Sequence, residues 1–168
     1  TVVGTVMSNL GFMHAMKDAA INVVTTPVGD RYVLENMIAN DYSLGGEQSG
    51  HVIMRQLANT GDGLLTALQL MQEVVRTGKT LQELAATMVR FPQVLINVKD
   101  VAKDRLPGNP AIAAAIKSAE ERLGDSGRVL LRASGTEPLV RVMVEAASDS
   151  LAQEVAQHLA DTVKNELE

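Results

Sequence analysis

The sequence has 168 residues, enough for one ordinary domain or two small ones. Hydrophobic residues make up 46% and charged residues 21%, a globular composition that excludes disorder as the main state. A formal net charge of −5 argues against nucleic-acid and anionic-membrane partners, and the absence of Cys excludes disulfides, Cys-ligated zinc and thiol catalysis.

The first residues do not resemble a signal peptide. Residues 1–7 form a β-branched run that is typical of an interior strand, without the charged and apolar regions of a signal peptide. No apolar run approaches the ~20 residues of a membrane-spanning helix. We therefore expect a cytoplasmic protein and a sequence cut from a longer chain.

Strands and helices alternate through residues 1–90. The predicted strands are 1–7, 21–25 and 51–54, and residues 43–50 are predicted as a glycine-rich turn. The predicted helices are 12–20, 32–39, one capped by Thr60 and ended by Gly78, and a short one opened by a Thr80–Glu83 capping box. This order predicts a partial three-layer α/β domain with a mixed, mostly parallel sheet covered on both faces.

A second pattern follows Arg90-Phe91-Pro92, where we place a domain boundary between residues 1–89 and 93–168. The predicted strands are 94–98, 128–132 and 139–146. One helix begins at Asn109-Pro110 and ends near Leu123, and another is opened by Ser150 with Gln153. The order βαββα predicts a smaller α+β domain, an antiparallel sheet with both helices on one face.

The loop between the last two predicted strands concentrates groups that can bind a phosphate. Arg132 offers a planar fork of donors, Ser134 and Thr136 offer hydroxyls, and Gly135 lets backbone N–H groups approach an anion. An ordinary hairpin turn has a similar composition and is an equally good interpretation. Glu137 argues slightly against an anion unless it points away.

A second polar loop runs from Gly45 to His51. The carboxylate of Glu47 can accept hydrogen bonds from two vicinal hydroxyls, and Ser49 and His51 can donate or accept others. Glycines around them allow a sharp turn and close approach of a ligand. The alternative is a flexible turn with a solvated Glu and a surface His, and the composition favours a binding loop.

Three other segments have simpler explanations. In the loop 26–32, Asp30 is expected to cap a helix and Arg31 to be a surface charge. The stretch around Lys79 ends like a P-loop, but Glu73 stands where that motif needs glycine. The stretch around Asp62 has one carboxylate and no EF-hand spacing, so a helix start is the better interpretation.

Three segments together resemble one known family. In chain order they are TPVGDRYV, GGEQSGH and RASGTEPLVRVMVEA, and TGDG followed by a helix comes after the second. They resemble the α-D-phosphohexomutase superfamily over essentially the whole chain. Members have four domains, and the resemblance implies most of the third domain, lacking its first elements, and the complete fourth.

The resemblance implies an isomerase that interconverts glucosamine 6-phosphate and glucosamine 1-phosphate through a phosphoserine and a bis-phosphorylated sugar intermediate. Its product would feed UDP-N-acetylglucosamine and peptidoglycan precursors. The family's phosphoserine loop and its aspartate-rich Mg²⁺ loop do not occur in these residues. We therefore expect this chain to be inactive alone, to hold no metal, and to need the N-terminal domains of the same protein.

The resemblance also implies which residues contact the substrate. The sugar hydroxyls and the surrounding site would involve Gly46, Glu47, Ser49, His51, Gly29, Asp30 and Arg31. The non-transferring phosphate would be bound by Arg132, Ser134, Gly135 and Thr136, with Arg141 as a further charge.

Three alternatives stay open. Relatives acting on mannose or glucose phosphates share the Glu-x-Ser-Gly-His loop, although the Gly-Asp-Arg-Tyr-Val and Arg-Val-Met-Val-Glu segments favour glucosamine. A non-catalytic module that binds a phosphorylated ligand would need no upstream catalytic loops. A purely structural fragment would use all three loops as turns.

Overall fold

A computed structural model describes residues 1–135 and 137–168, which divide into two units, Thr1–Arg90 and Phe91–Glu168. None of the helices described is both long enough and apolar enough to cross a membrane.

The first unit is built on a four-stranded sheet in the order β2-β1-β3-β4. Its elements are β1 (Val2–Thr5), α1 (Leu10–Asp18), β2 (Val23–Thr26), α2 (Asp30–Ala39), β3 (Leu44–Gly46), β4 (Val52–Met54), α3 (Gly63–Thr77) and α4 (Leu81–Ala85). Strand β1 runs parallel to β2 and β3, whereas β3 and β4 form an antiparallel hairpin. The mixed, mostly parallel sheet is confirmed.

Strand β3 corrects the first part of the turn predicted over residues 43–50, while the turn itself is confirmed at residues 48–50. Glycine is generally unfavourable inside a strand, but close packing explains its presence at position 45. A Cβ on Gly45 would lie 2.6 Å from Met37 Sδ and 2.7 Å from Val33 Cγ1, both on α2. The buried core of the unit consists of these two side chains with Val3 and Ile53. Helix α2 therefore packs so closely on the sheet that β3 has no room for a side chain at Gly45.

Helix α3 leaves its apolar stripe exposed. None of its residues is buried, and the exposed fractions of Leu64 and Val75 are 73% and 84%. Its N-cap also differs from the prediction: Asp62 rather than Thr60 caps the helix, with its Oδ1 accepting a hydrogen bond from the Leu65 N–H at 2.9 Å. Asp62 takes the position because its carboxylate lies directly before the first helical turn. The predicted C-terminal glycine, Gly78, is confirmed with φ 66°.

The second unit has the predicted βαββα order. Its elements are β5 (Gln93–Lys99), α5 (Pro110–Leu123), β6 (Arg128–Ala133), β7 (Leu139–Glu145) and α6 (Asp149–Leu167), with 3₁₀ turns at Lys103–Arg105 and Gly124–Ser126. The sheet is antiparallel in the order β5-β7-β6. The predicted cap Asn109 is confirmed, because its Oδ1 accepts from the N–H groups of Ala111 and Ile112.

Strand β7 carries the core of the second unit on one face. Val140, Val142 and Val144 are fully buried and belong to a cluster with apolar residues of α5 and α6. Helix α6 corrects one prediction, since its cap is Ser148 rather than Ser150, with Ser148 Oγ accepting from the Leu151 N–H at 3.3 Å. The two serines are both good caps, and the one whose backbone is extended takes the position.

Candidate functional site

Two of the polar loops follow parallel strands at the same edge of the first sheet. Strands β1, β2 and β3 are parallel, so the chain leaves each of them at its carboxyl end on one side. Residues 27–29 follow β2 and residues 47–51 follow β3. In open α/β sheets ligands bind outside the carboxyl ends of the strands. The topology therefore brings these loops to an edge suited to a ligand.

Glu47 joins the two loops directly. Its Oε1 accepts a hydrogen bond of 2.8 Å from the backbone N–H of Gly29, and its side chain is only 8% exposed. Gly29 has φ 136°, in the region that favours glycine, immediately before α2. The carboxylate is thus oriented by the backbone at the start of a helix rather than free in solvent.

Ser49 and His51 complete a polar cluster beside this carboxylate. Ser49 Oγ lies 2.9 Å from His51 Nδ1 and 3.4 Å from Glu47 Oε2, and His51 Nδ1 lies 3.9 Å from the same carboxylate oxygen. The hairpin is held by a hydrogen bond from the Glu47 N–H to the His51 carbonyl at 2.9 Å. Hydroxyl, imidazole and carboxylate together can both donate and accept, which suits a polyol such as a sugar.

Gly46 is required by the hairpin itself. A Cβ at this position would lie 2.7 Å from the His51 carbonyl oxygen, so any side chain would push the two strands apart. The loop is also tied to β1, since the buried hydroxyl of Thr5 donates to Gln48 Oε1 at 3.4 Å. No local pattern marks the contact of Thr5 with Gln48, because only strand pairing places the two residues side by side.

Asp30 and Arg31 make local contacts on α2. Asp30 Oδ1 accepts from the Arg31 N–H at 2.8 Å, and Arg31 Nε donates to Glu35 Oε1 at 2.8 Å one helical turn away. This bond to Glu35 raises the pKa of the exposed Arg31 guanidinium. The predicted cap at Asp30 is wrong, because Gly29 is the N-cap and Asp30 is the first residue of α2, whereas Arg31 is exposed as expected for a surface charge.

The second unit places two arginines side by side at the phosphate-loop candidate. Arg132 of β6 and Arg141 of β7 are direct partners in the strand register. Arg141 donates to Glu137 Oε2 at 3.1 Å, while its Nε is buried without a hydrogen-bond partner. Over residues 1–135 and 137–168, Arg132 has no side-chain hydrogen bond or ion pair. Within the described residues, the Glu137 carboxylate therefore pairs with Arg141 and not with Arg132.

The loop after Arg132 is ordered by its own hydrogen bonds. The Ser134 N–H donates to the Leu139 carbonyl at 2.9 Å, and Ser134 Oγ accepts from the Glu137 N–H at 3.3 Å. Ser134 is only 5% exposed, so its hydroxyl shapes the turn. A Cβ on Gly135 would meet nothing within 4 Å, so the fold itself does not require glycine there. Thr136, also predicted to bind phosphate, lies outside the described residues.

Lys103 contacts this loop from another part of the chain. Its Nζ donates to the carbonyl oxygens of Ser134 at 2.7 Å and of Glu137 at 3.1 Å. It lies in the 3₁₀ turn after β5, about 30 residues earlier in the chain. No local pattern marks it, because only the folded sheet brings that turn to the loop.

Among the residues that the structure describes, no three side chains of His, Asp or Glu gather in a group that could hold a metal ion. The polar groups of both loops are instead hydrogen-bond donors and acceptors suited to hydroxyls and an anion.

Two domain models of one protein family match this chain. Residues 1–91 match phosphoglucomutase/phosphomannomutase, alpha/beta/alpha domain III, and residues 95–162 match the C-terminal domain of the same family. The chain belongs to the phosphoglucomutase/phosphomannomutase family. The resemblance found in the sequence is confirmed.

Individual family members are similar to this chain over nearly all of its length. The chain is 62% identical over 164 residues to a protein of Frankia alni and 60% identical over 167 residues to one of Thermobifida fusca, both named phosphoglucosamine mutase. The alignments cover 98% and 99% of this chain but 36% and 37% of those relatives. The chain therefore spans just over a third of the length of the curated relatives it matches.

Solved structures of family members share the fold. N-acetylphosphoglucosamine mutase of Aspergillus fumigatus superposes with a TM-score of 0.84 at 24% identity, covering 98% of this chain and 38% of that one. That fungal enzyme has also been solved with GlcNAc-6P and magnesium, at a TM-score of 0.81, 21% identity, and coverage of 99% and 39%. A putative phosphomannomutase of Thermus thermophilus gives a TM-score of 0.61 at 26% identity, covering 95% and 36%.

Proposed function

We propose that this chain is the sugar- and phosphate-recognition part of a phosphoglucosamine mutase. The whole enzyme would interconvert glucosamine 6-phosphate and glucosamine 1-phosphate through a phosphoserine. Relatives that bear this name are about 60% identical over nearly all of the chain. The chain alone would be inactive, since its loops supply recognition groups, and the N-terminal domains of the same protein would supply the phosphoserine.

The pairing of Arg132 with Arg141 is the observation that carries the proposal. Like charges directly opposite each other destabilise an antiparallel sheet. Glu137 is the one carboxylate that contacts the pair within the described residues, and Arg141 Nε is buried without a partner. A phosphate would neutralise both guanidinium groups and accept their remaining hydrogen bonds. The N–H of Gly135, and Thr136, would complete this binding loop.

The Glu47 cluster is proposed to bind sugar hydroxyls. Its carboxylate is held at the start of α2 by Gly29, and Ser49 and His51 lie beside it. A group that is oriented before the ligand arrives loses little freedom on binding. Asp30 and Arg31 would contribute less, because their contacts are within α2.

Magnesium and a bis-phosphorylated sugar are proposed for the whole enzyme. Structures of the fungal relative include complexes with glucose 1,6-bisphosphate and with magnesium. The residues described here do not fit a metal, since they contain no group of three possible ligands. The ion would be held outside these 168 residues, where it would neutralise charge on the transferred phosphoryl group.

The proposal extends to the cellular setting. We expect a cytoplasmic enzyme whose small-molecule partner is a hexosamine phosphate and whose product feeds UDP-N-acetylglucosamine and peptidoglycan precursors. Neither nucleic acid nor membrane is an expected partner, given the net charge of −5.

An amide-shift NMR titration of this chain tests the proposal. Glucosamine 6-phosphate should shift residues 46–51 and 132–135, whereas inorganic phosphate should shift only 132–135. Arg132→Ala should abolish the second set of shifts, and Arg122→Ala, an exposed arginine of the same unit, should not. Tighter binding of mannose or glucose 6-phosphate would favour the phosphomannomutase or phosphoglucomutase alternative. If Arg132→Ala and Arg122→Ala changed the phosphate-induced shifts at residues 132–135 to the same extent, the proposal would be contradicted.

A further inference from the structure

Lys103 holds two carbonyl groups of the candidate phosphate loop. A lysine ammonium has three donors, and two of them are used on Ser134 and Glu137 at 2.7 and 3.1 Å. The Glu137 carbonyl also accepts from the Leu139 N–H at 2.9 Å. Lys103 as a whole is half-buried.

The bond to Ser134 fixes the direction of the next N–H group. A trans peptide is planar, so the C=O of Ser134 and the N–H of Gly135 point in opposite directions. Because Lys103 holds that carbonyl, the Gly135 N–H is directed away from the lysine. Within the described residues this N–H has no hydrogen-bond partner, and a Cβ at Gly135 would meet open space.

We infer that Lys103 is a positioning residue that keeps the loop's carbonyls turned away from an anion and the Gly135 N–H turned towards it. This inference rests on the proposed phosphate-binding role of the loop. Carbonyl oxygens repel a phosphate, so a loop free to turn them inward would bind more weakly. Lys103 acts through the loop and does not itself need to touch the ligand.

A purely electrostatic role would look different. Any positive charge near the loop attracts phosphate through long-range forces, and added salt screens that attraction. A hydrogen bond that orders the backbone acts at contact distance and persists in salt. Lys117 provides the matched control, because it is an exposed lysine on α5 of the same unit, with Glu121 at 3.8 Å.

The experiment compares the full 168-residue chain with Lys103→Met, Lys103→Arg and Lys117→Met. Inorganic phosphate is titrated at low salt and at about 0.5 M NaCl, where the Debye length falls to a few ångströms, and amide hydrogen exchange is followed by NMR. We expect Lys103→Met to weaken phosphate binding about tenfold at both salt concentrations, because the loop loses the two charged hydrogen bonds that orient it. Exchange at Ser134 and Leu139 should accelerate, Lys103→Arg should restore part of the affinity, and Lys117→Met should match the parent.

The other outcomes overturn the inference in distinguishable ways. If Lys103→Met binds phosphate as the parent does, or differs from it only at low salt, the positioning role is wrong and the proposed function stands. If the parent itself binds no phosphate, the proposed function of the loop fails, and the inference fails with it. Faster exchange throughout the unit would show general destabilisation instead of a local effect, and would also overturn the inference.

Discussion

Arg132 on β6 lies directly opposite Arg141 on β7 in the second sheet. Two arginines at opposite positions carry like charges, and within the described residues the Glu137 carboxylate pairs with Arg141. Such an arrangement lowers the stability of a sheet unless an anion offsets the repulsion. If phosphate binds this pair as proposed, it should raise the stability of the unit.

The first prediction concerns Arg132→Gln. In phosphate-free buffer this variant should be as stable as the parent or more stable by up to ~1 kcal/mol, because the repulsion is relieved. Phosphate at about 100 times its Kd should stabilise the parent by ~2.7 kcal/mol and the variant far less. Thermal unfolding with and without phosphate measures both. Arg105→Gln, which removes an exposed charge from the same unit, is the control and should respond as the parent does.

The second prediction contrasts two glycines. Gly135→Ala should change the free energy of unfolding by less than ~0.5 kcal/mol, since the new methyl group meets open space. It should nevertheless weaken phosphate binding, because the ligand would lose its close approach to the backbone. Gly46→Ala should destabilise the chain by about 1–3 kcal/mol through contact with the His51 carbonyl. Denaturant unfolding measures the stability of both variants, and phosphate titration measures their affinity. Unchanged phosphate affinity in Gly135→Ala would refute this role for the glycine.

The third prediction separates the two uses of Glu47. Glu47→Ala removes the acceptor for the Gly29 N–H and should destabilise the first unit by about 1–3 kcal/mol. Glu47→Gln keeps an oxygen for that bond and should stay closer to the parent in stability. It should still weaken the glucosamine 6-phosphate shifts at residues 46–51, because a neutral amide binds hydroxyls less strongly than a carboxylate. Equal sugar-phosphate affinity in Glu47→Gln would argue that Glu47 serves the fold alone.

The fourth prediction concerns pH and the pair that joins α5 to α6. Arg122 donates two hydrogen bonds to Glu154, at 2.9 and 2.8 Å, and these bonds hold the pKa of Glu154 below its ordinary value. A carboxyl whose pKa is lowered by folding stabilises the fold above its unfolded pKa, roughly 4.3, and loses that effect as pH falls through the folded pKa.

Arg122→Gln should therefore be less stable than the parent above pH ~5, and the two should converge in more acidic solution. The difference should be small because the pair is exposed, and it should shrink in salt. Carboxyl NMR titration should show a higher pKa for Glu154 in the variant. A difference in stability that is independent of pH would mean that Arg122 acts through packing instead.

Linear patterns were enough to predict the elements whose causes are local. Asn109 before Pro110 marks the start of α5, Thr80 with Glu83 forms the capping box of α4, and the alternation of valines in β7 identifies its core face. These features depend on residues within one or two helical turns or on the period of a strand, so the sequence contains them directly. The three polar segments also identified the family.

Tertiary contacts determine the features that depend on partners far apart in the chain. Residues 44–46 have the composition of a turn, yet pairing with β1 and β4 and the close approach of α2 make them a strand. Folding also brings Glu47 to Gly29, places Arg132 opposite Arg141, and brings Lys103 to Ser134, although the members of each pair are separated in the sequence. Hydrogen bonds and charge pairs act over a few ångströms, and sequence separation carries no information about such distances until strands pair and helices pack.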